Sequence, residues 1–202
     1  MDSILKDITV IGFDADDTLW VNEPYFQEVE KEFCQLFSGK YSAEEVSSEL
    51  FSTEMRNLSS YGFGVKAFTL SLIETALRLD SDCTSAIVKQ TLELGRSILS
   101  KSIVLLDGVA EVLELLKNRY RLIVATKGDL LDQQRKLRKS GLEHYFHHVE
   151  IMSDKKEEDY KALINHLDIK PENFLMIGNS LKSDVLPVIA LGGKGVYIPP
   201  PH

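Results

Sequence analysis

Cysteine is scarce in this chain: Cys34 and Cys83 are the only two among 202 residues. They lie far apart in apparently helical segments and form no CxxC spacing. Such thiols point to reduced core residues in a reducing compartment, not to a disulfide framework or a cysteine metal site. Long apolar runs are missing too, and none approaches the roughly 20 residues a membrane-spanning helix needs. Positive charge is in deficit, with 23 Lys and Arg against 31 Asp and Glu and a net charge of -8. That excludes a surface devoted to nucleic acid or anionic membrane, since such surfaces are basic. The segment Met1 to Asp7 lacks the basic region and apolar core of a secretory signal, so a cytoplasmic protein is expected. No Pro/Gly/Ser-rich linker, repeat or low-complexity tract divides the chain. The length suits one large domain or a domain with an insertion.

Two textures alternate along the sequence. Residues 1-19 and 104-202 carry short β-branched runs separated by amphipathic stretches: Ile8 to Phe13, Arg121 to Ala125, His148 to Met152, Phe174 to Ile177 and Gly195 to Ile198. Strands separated by helices predict a parallel sheet in an α/β fold. Residues 20-103 read as almost wholly helical. Ser42 and Glu45 have the spacing of a capping box. Phe68, Leu72, Ala76 and Leu79 recur along one face of a helix expected over 65–79. Asp80-Ser81-Asp82 breaks that helix and offers N-caps for the next.

Polar residues gather where the expected strands end. Ile8 to Phe13 runs into Asp14-Ala15-Asp16-Asp17-Thr18. Carboxylates are costly to bury, yet the carboxyl ends of strands are where open α/β sheets keep their ligands. Asp is also an ordinary turn residue, so this segment alone admits a plain polar turn. Leu122 to Ala125 leads to Thr126-Lys127-Gly128-Asp129, with Asp129 placed to cap a helix. Val149 to Met152 leads to Ser153-Asp154-Lys155-Lys156, where either lysine suits a solvated helix start. Phe174 to Ile177 leads to Gly178-Asn179 and on to Asp184, a supply of the oxygen ligands that magnesium prefers. Within the helical stretch, Tyr61-Gly62-Phe63-Gly64-Val65-Lys66 admits either an interhelical turn or a loop built for close approach to a ligand.

Taken in order, Asp, Thr, Lys and Asp at four strand ends resemble the haloacid dehalogenase superfamily of phosphohydrolases. Asp14-Ala15-Asp16-Asp17-Thr18 matches its first motif and Thr126 its second. Lys155 matches the third, with Lys156 as the register alternative, and Gly178-Asn179 through Asp184 matches the fourth. Two positions depart from the family pattern: Asp17 stands where Gly is frequent, and Asn179 where Asp is frequent. The resemblance implies a Rossmann-like parallel sheet with an α-helical cap inserted after the first strand.

It also implies a magnesium-dependent phosphatase acting on a small phosphorylated metabolite through an aspartyl-phosphate. Asp14 would be the nucleophile and Asp16 the acid and base. Thr126, Lys127 and Lys155 would hold the phosphoryl oxygens. Asp14, the main-chain carbonyl of Asp16, Asn179 and Asp184 would hold Mg2+. Tyr61, Phe63 and Lys66 would face the substrate from the cap. The implied partner is a small-molecule phosphate ester, with no nucleic acid or membrane, and a monomer is favoured. A sugar phosphomutase on the same core is the alternative, as are a receiver-like phospho-switch or a silent binding protein. The dehalogenase branch normally lacks the second Asp, so Asp16 speaks against it.

Overall fold

Strands buried on both faces need apolar residues at every position, because successive side chains point to opposite sides. The first strand, β1 (Val10–Phe13), meets that demand in a computed structural model that describes residues 5–82 and 84–200. Ile11 and Phe13 join Leu122, Val124 and Leu175 in one apolar cluster, closed by Leu113 and Leu137. Val10 joins Ile123, Ala125, Phe174 and Met176 in a second cluster on the other face, closed by Tyr160, Ile164 and Val188.

The sheet has five strands in the order β3-β2-β1-β4-β5: β2 (Arg121–Lys127), β3 (His148–Met152), β4 (Phe174–Gly178) and β5 (Lys194–Tyr197). Every pairing is parallel. The first strand in sequence is therefore the central one, paired with β2 through Val10↔Arg121 and with β4 through Val10↔Phe174. Two residues that were expected to follow the second strand, Thr126 and Lys127, lie inside β2. Pairing with β3 continues through Lys127↔Met152 and holds them extended.

The chain divides into two compact units, an α/β unit up to Val21 and from Ile103 onward, and a helical unit, Asn22–Ser102. The helical unit contains α1 (Glu23–Gln35), α2 (Ala43–Tyr61), α3 (Val65–Leu79) and α4 (Ser85–Ile98). Its core gathers Val29, Phe33, Val46, Leu50, Phe68, Leu72 and Ala76, with Leu79 packed against it. The capping box forms: Ser42 Oγ accepts from the Glu45 amide at 3.2 Å, and Glu45 accepts from the Ser42 amide at 2.8 Å. The cap of α4 is Thr84, not an aspartate of 80–82, because the chain stays extended at Thr84 and its side chain meets the Ile87 amide. Asp80 instead accepts from the Asp82 amide in the preceding turn. Cys34 is buried in α1, while Cys83 falls outside the described residues. The α/β unit adds α5 (Val109–Leu116), α6 (Leu130–Ser140), α7 (Glu157–His166) and α8 (Leu186–Ala190). Among the described residues, no helix is long and apolar enough to cross a membrane.

Candidate active site

Asp14 continues β1 by one residue, since its amide still donates to the Ile177 carbonyl of β4 at 2.9 Å. The chain then turns tightly, with the Thr18 and Leu19 amides returning to the Ala15 carbonyl. Asp17 sits in this turn with φ 58°, a left-handed conformation that Asp tolerates better than most residues and Gly better still. Because β1 is central and its neighbours lead outward in opposite directions, its carboxyl end is the topological switch point of the sheet.

Three side chains from three strand ends meet there. Lys155 Nζ donates to Asp14 Oδ1 at 2.5 Å and to Asp184 Oδ1 at 2.7 Å, and all three residues are buried. The second Asp184 oxygen accepts from the Ser180 amide at 2.9 Å. Thr18 donates to the second Asp14 oxygen at 3.2 Å. Gly178 makes this packing possible, because a Cβ there would lie 2.3 Å from an Asp184 oxygen. The cluster holds two carboxylates against one ammonium, so an excess negative charge is buried. Burial pushes the Asp14 carboxyl up to about 6; Lys155 opposes the rise, and Asp184 and Asp16 add to it. Burial works against the Lys155 ammonium, but Asp14 and Asp184 outweigh it and hold its pKa above the ordinary lysine value.

The two adjacent lysines differ in exposure and contact. Lys156 pairs with Asp154 at 3.5 Å, and its side chain is 68% exposed. Thr126 is buried at the end of β2. Lys127 beside it donates to Ser183 Oγ at 3.2 Å, and burial lowers its pKa. Asn179 follows β4, half-buried, and takes no part in the hydrogen bonds that join Asp14, Lys155 and Asp184. Asp129 occupies the N-cap position of α6 without a side-chain capping bond.

Asp16 is held separately. Its Oδ1 accepts from Trp20 Nε1 at 2.8 Å and Lys136 Nζ at 2.6 Å, and its Oδ2 accepts from Gln133 Nε2 at 2.8 Å. Gln133 also donates to the Lys127 carbonyl, tying α6 to the end of β2. Sequence reasoning missed Gln133 and Lys136. Their signal was position: Leu137 faces the core, and Gln133 lies one turn earlier on the same stripe of α6.

Tyr61 ends α2 and donates its hydroxyl to Glu74 Oε1 at 3.1 Å. Lys66 is exposed in the first turn of α3, and Phe63 is half-buried between the two helices. Gly62 and Gly64 have φ of 69° and 115°, and a Cβ on Gly62 would meet nothing within 4 Å. Backbone conformation, not crowding, therefore requires glycine at Gly62.

The donor set at Asp14 suits a hard divalent cation. Among the described residues, no group of three or more His, Cys, Asp and Glu side chains could hold a metal. Two converging carboxylates supplemented by main-chain and water oxygens fit magnesium, which keeps several waters, better than zinc.

Known proteins share this architecture. A solved haloacid dehalogenase-like family hydrolase from Xanthomonas campestris is 38% identical, with a TM-score of 0.91 over 96% of this chain and 82% of that one. HAD-hydrolase YfnB from Bacillus subtilis, solved bound to magnesium, shares the fold at 18% identity and a TM-score of 0.68, over 95% of this chain and 88% of its own. N-acylneuraminate-9-phosphatase of Mus musculus is 28% identical over 97 residues, 46% of this chain and 39% of that enzyme. This chain thus spans well under half the length of that curated relative. The sequence pattern of haloacid dehalogenase-like hydrolases matches residues 8–192, from the residues before β1 to the turn after α8, and the chain belongs to that family.

Proposed function

We propose that this hydrolase is a magnesium-dependent phosphatase of small phosphate esters, working through a phosphorylated Asp14. The observation that carries the reading is the division of labour between carboxylates. Asp14 and Asp184 share one buried ammonium, while Asp16 stands two residues from Asp14 in its own set of hydrogen-bond donors. A phosphate ester needs both a nucleophile and a proton for its leaving alkoxide, whereas departing halide needs no proton. The phosphatase from Mus musculus adds support from a relative.

In this reading an Asp14 oxygen attacks phosphorus, and the bond from phosphorus to the ester oxygen breaks. That oxygen keeps the electron pair and takes a proton from Asp16. Asp16 then removes a proton from water as the water oxygen attacks the phosphoryl group, and Asp14 is released as the carboxylate. Thr126, Lys127 and Lys155 hold phosphoryl oxygens. Asp14, the Asp16 carbonyl and Asp184 would hold the cation, with Asn179 as a neutral oxygen donor. When bound, magnesium supplies positive charge against the phosphoryl oxygens. The helical unit serves as the cap, with Tyr61, Phe63 and Lys66 toward substrate.

A panel of phosphate esters and 2-haloacids tests the reading. Aryl phosphate turnover is expected with magnesium and is expected to vanish in excess chelator. Undiminished turnover in chelator would remove the metal, and halide release without phosphate release would remove the phosphatase.

Lys136 is a positioning residue in the same scheme. Lys136→Met keeps the apolar stem but takes one of three donors from Asp16. The variant is expected to lose about 10- to 100-fold in kcat with little change in KM, and to lose most with alkyl leaving groups. Equal losses for aryl and alkyl esters would show that Lys136 acts on folding alone.

A further inference from the structure

The helical unit contains a cavity of about 230 Å³ whose walls include Phe26, Phe63, Phe68, Leu58 and Glu54. Phe26 and Phe68 meet edge to face, with centroids 5.0 Å apart. The side-chain nitrogen of Asn57 at its margin already donates to Ser71 and to Glu74, at 3.1 Å each. Glu54 is different. Among the described residues its carboxylate has no hydrogen bond and no ion pair. Burial, then the nearby Glu30 and Glu23 carboxylates, push it up to about 7. A lone carboxylate against aromatic walls is poorly placed for stability, since nothing compensates its lost hydration.

We propose that this cavity binds a small organic ammonium group, seated against the phenylalanine faces and paired with Glu54. Aromatic faces attract cations through the ring quadrupole, and weakly hydrated alkylammonium ions use this attraction best. A bare metal ion needs several converging oxygens, and among the described residues no group of three or more His, Cys, Asp and Glu side chains could hold one. A neutral apolar ligand would leave Glu54 as it is. The ammonium group alone answers both the ring faces and the charge.

The test is titration of the full chain at pH 8 with tetramethylammonium chloride, against sodium chloride at equal ionic strength. Choline and its neutral carbon isostere, 3,3-dimethylbutan-1-ol, form a second pair. One saturable site for tetramethylammonium is expected, with choline bound about tenfold or more tightly than the isostere. Glu54→Gln is expected to weaken tetramethylammonium by about tenfold or more while melting no earlier than wild type, because it removes an unpaired charge. Phe63→Leu, which keeps an apolar wall but loses a ring, is expected to weaken choline and leave the isostere unchanged. Absence of saturable binding, equal affinity for choline and its isostere, or undiminished binding by folded Glu54→Gln each overturns the proposal. Should Glu54→Gln not fold, the Phe63→Leu comparison decides alone: equal losses for both ligands overturn it. Binding alone is read, so the outcome does not depend on whether the α/β unit hydrolyses phosphate esters.

Discussion

Asp14→Asn is expected to abolish the covalent phosphoenzyme, to lower turnover on the order of 10⁴-fold or more, and yet to melt later than wild type in chelator at pH 7.5. The two effects have one origin. Asp14 supplies the second carboxylate against a single ammonium, and its pKa rises from 3.8 to about 6 on folding. Between those values the folded chain keeps a proton that the unfolded chain has lost, so stability falls as pH rises through the window. Above about pH 6 the penalty is complete, and asparagine removes it. A gain of a few degrees in Tm at pH 7.5, vanishing below about pH 4, is the expected pattern for a chain of this size. Calorimetry across pH checks it. A variant less stable than wild type at pH 7.5 would mean that Lys155 requires both carboxylates. Phosphoenzyme trapped in the variant would remove Asp14 as nucleophile.

Lys155→Met should have the opposite effect on stability. It leaves Asp14 and Asp184 buried together without the ammonium that contacts both, and breaking such a network by removing one partner costs about 3–5 kcal/mol. For a domain of this size that is on the order of 10 °C in Tm. Lys156→Met, one residue away on the surface, should stay within about 0.5 kcal/mol of wild type. Adding Asp14→Asn to Lys155→Met should restore part of the loss, because the excess charge is halved, and a double-mutant cycle measures that coupling. Equal effects of the two lysine variants would refute the buried cluster.

The strands were legible because burial on two faces leaves a continuous apolar run, as in Leu122 to Ala125 and Phe174 to Ile177. Helix α3 was legible because Phe68, Leu72 and Ala76 repeat at the helical period against one core. The order of polar residues at the strand ends pointed to where Asp14, Lys155 and Asp184 meet. What could not be read was the inward use of polar side chains. Lys155 and Lys156 are adjacent and chemically identical in sequence, and only the course of the chain after β3 sends one in and the other out. Gln133 and Lys136 lie in a helix so polar that its buried stripe is hard to distinguish from its wet face. The cap of α4 is Thr84 and not a residue of Asp80-Ser81-Asp82, because Thr, Ser and Asp all cap helices and backbone conformation chooses among them.

The central place of β1 imposes a delay on the growing chain. Its pairing partners lie at Arg121 and Phe174, and Asp14 is 141 positions from Lys155. At ribosomal rates of about 5–20 residues per second, β1 waits roughly ten seconds or more for β4 to emerge. The helical unit, whose contacts are local, has time to form in the interval. Meanwhile Ile8 to Phe13 is a short β-forming apolar stretch with neither lateral neighbour, the kind of segment that recruits other chains. Asp14, Asp16 and Asp17 end it with three negative charges within four residues, which act as gatekeepers against intermolecular pairing during the wait. The carboxylates proposed for chemistry in the finished protein thus protect the unfinished one.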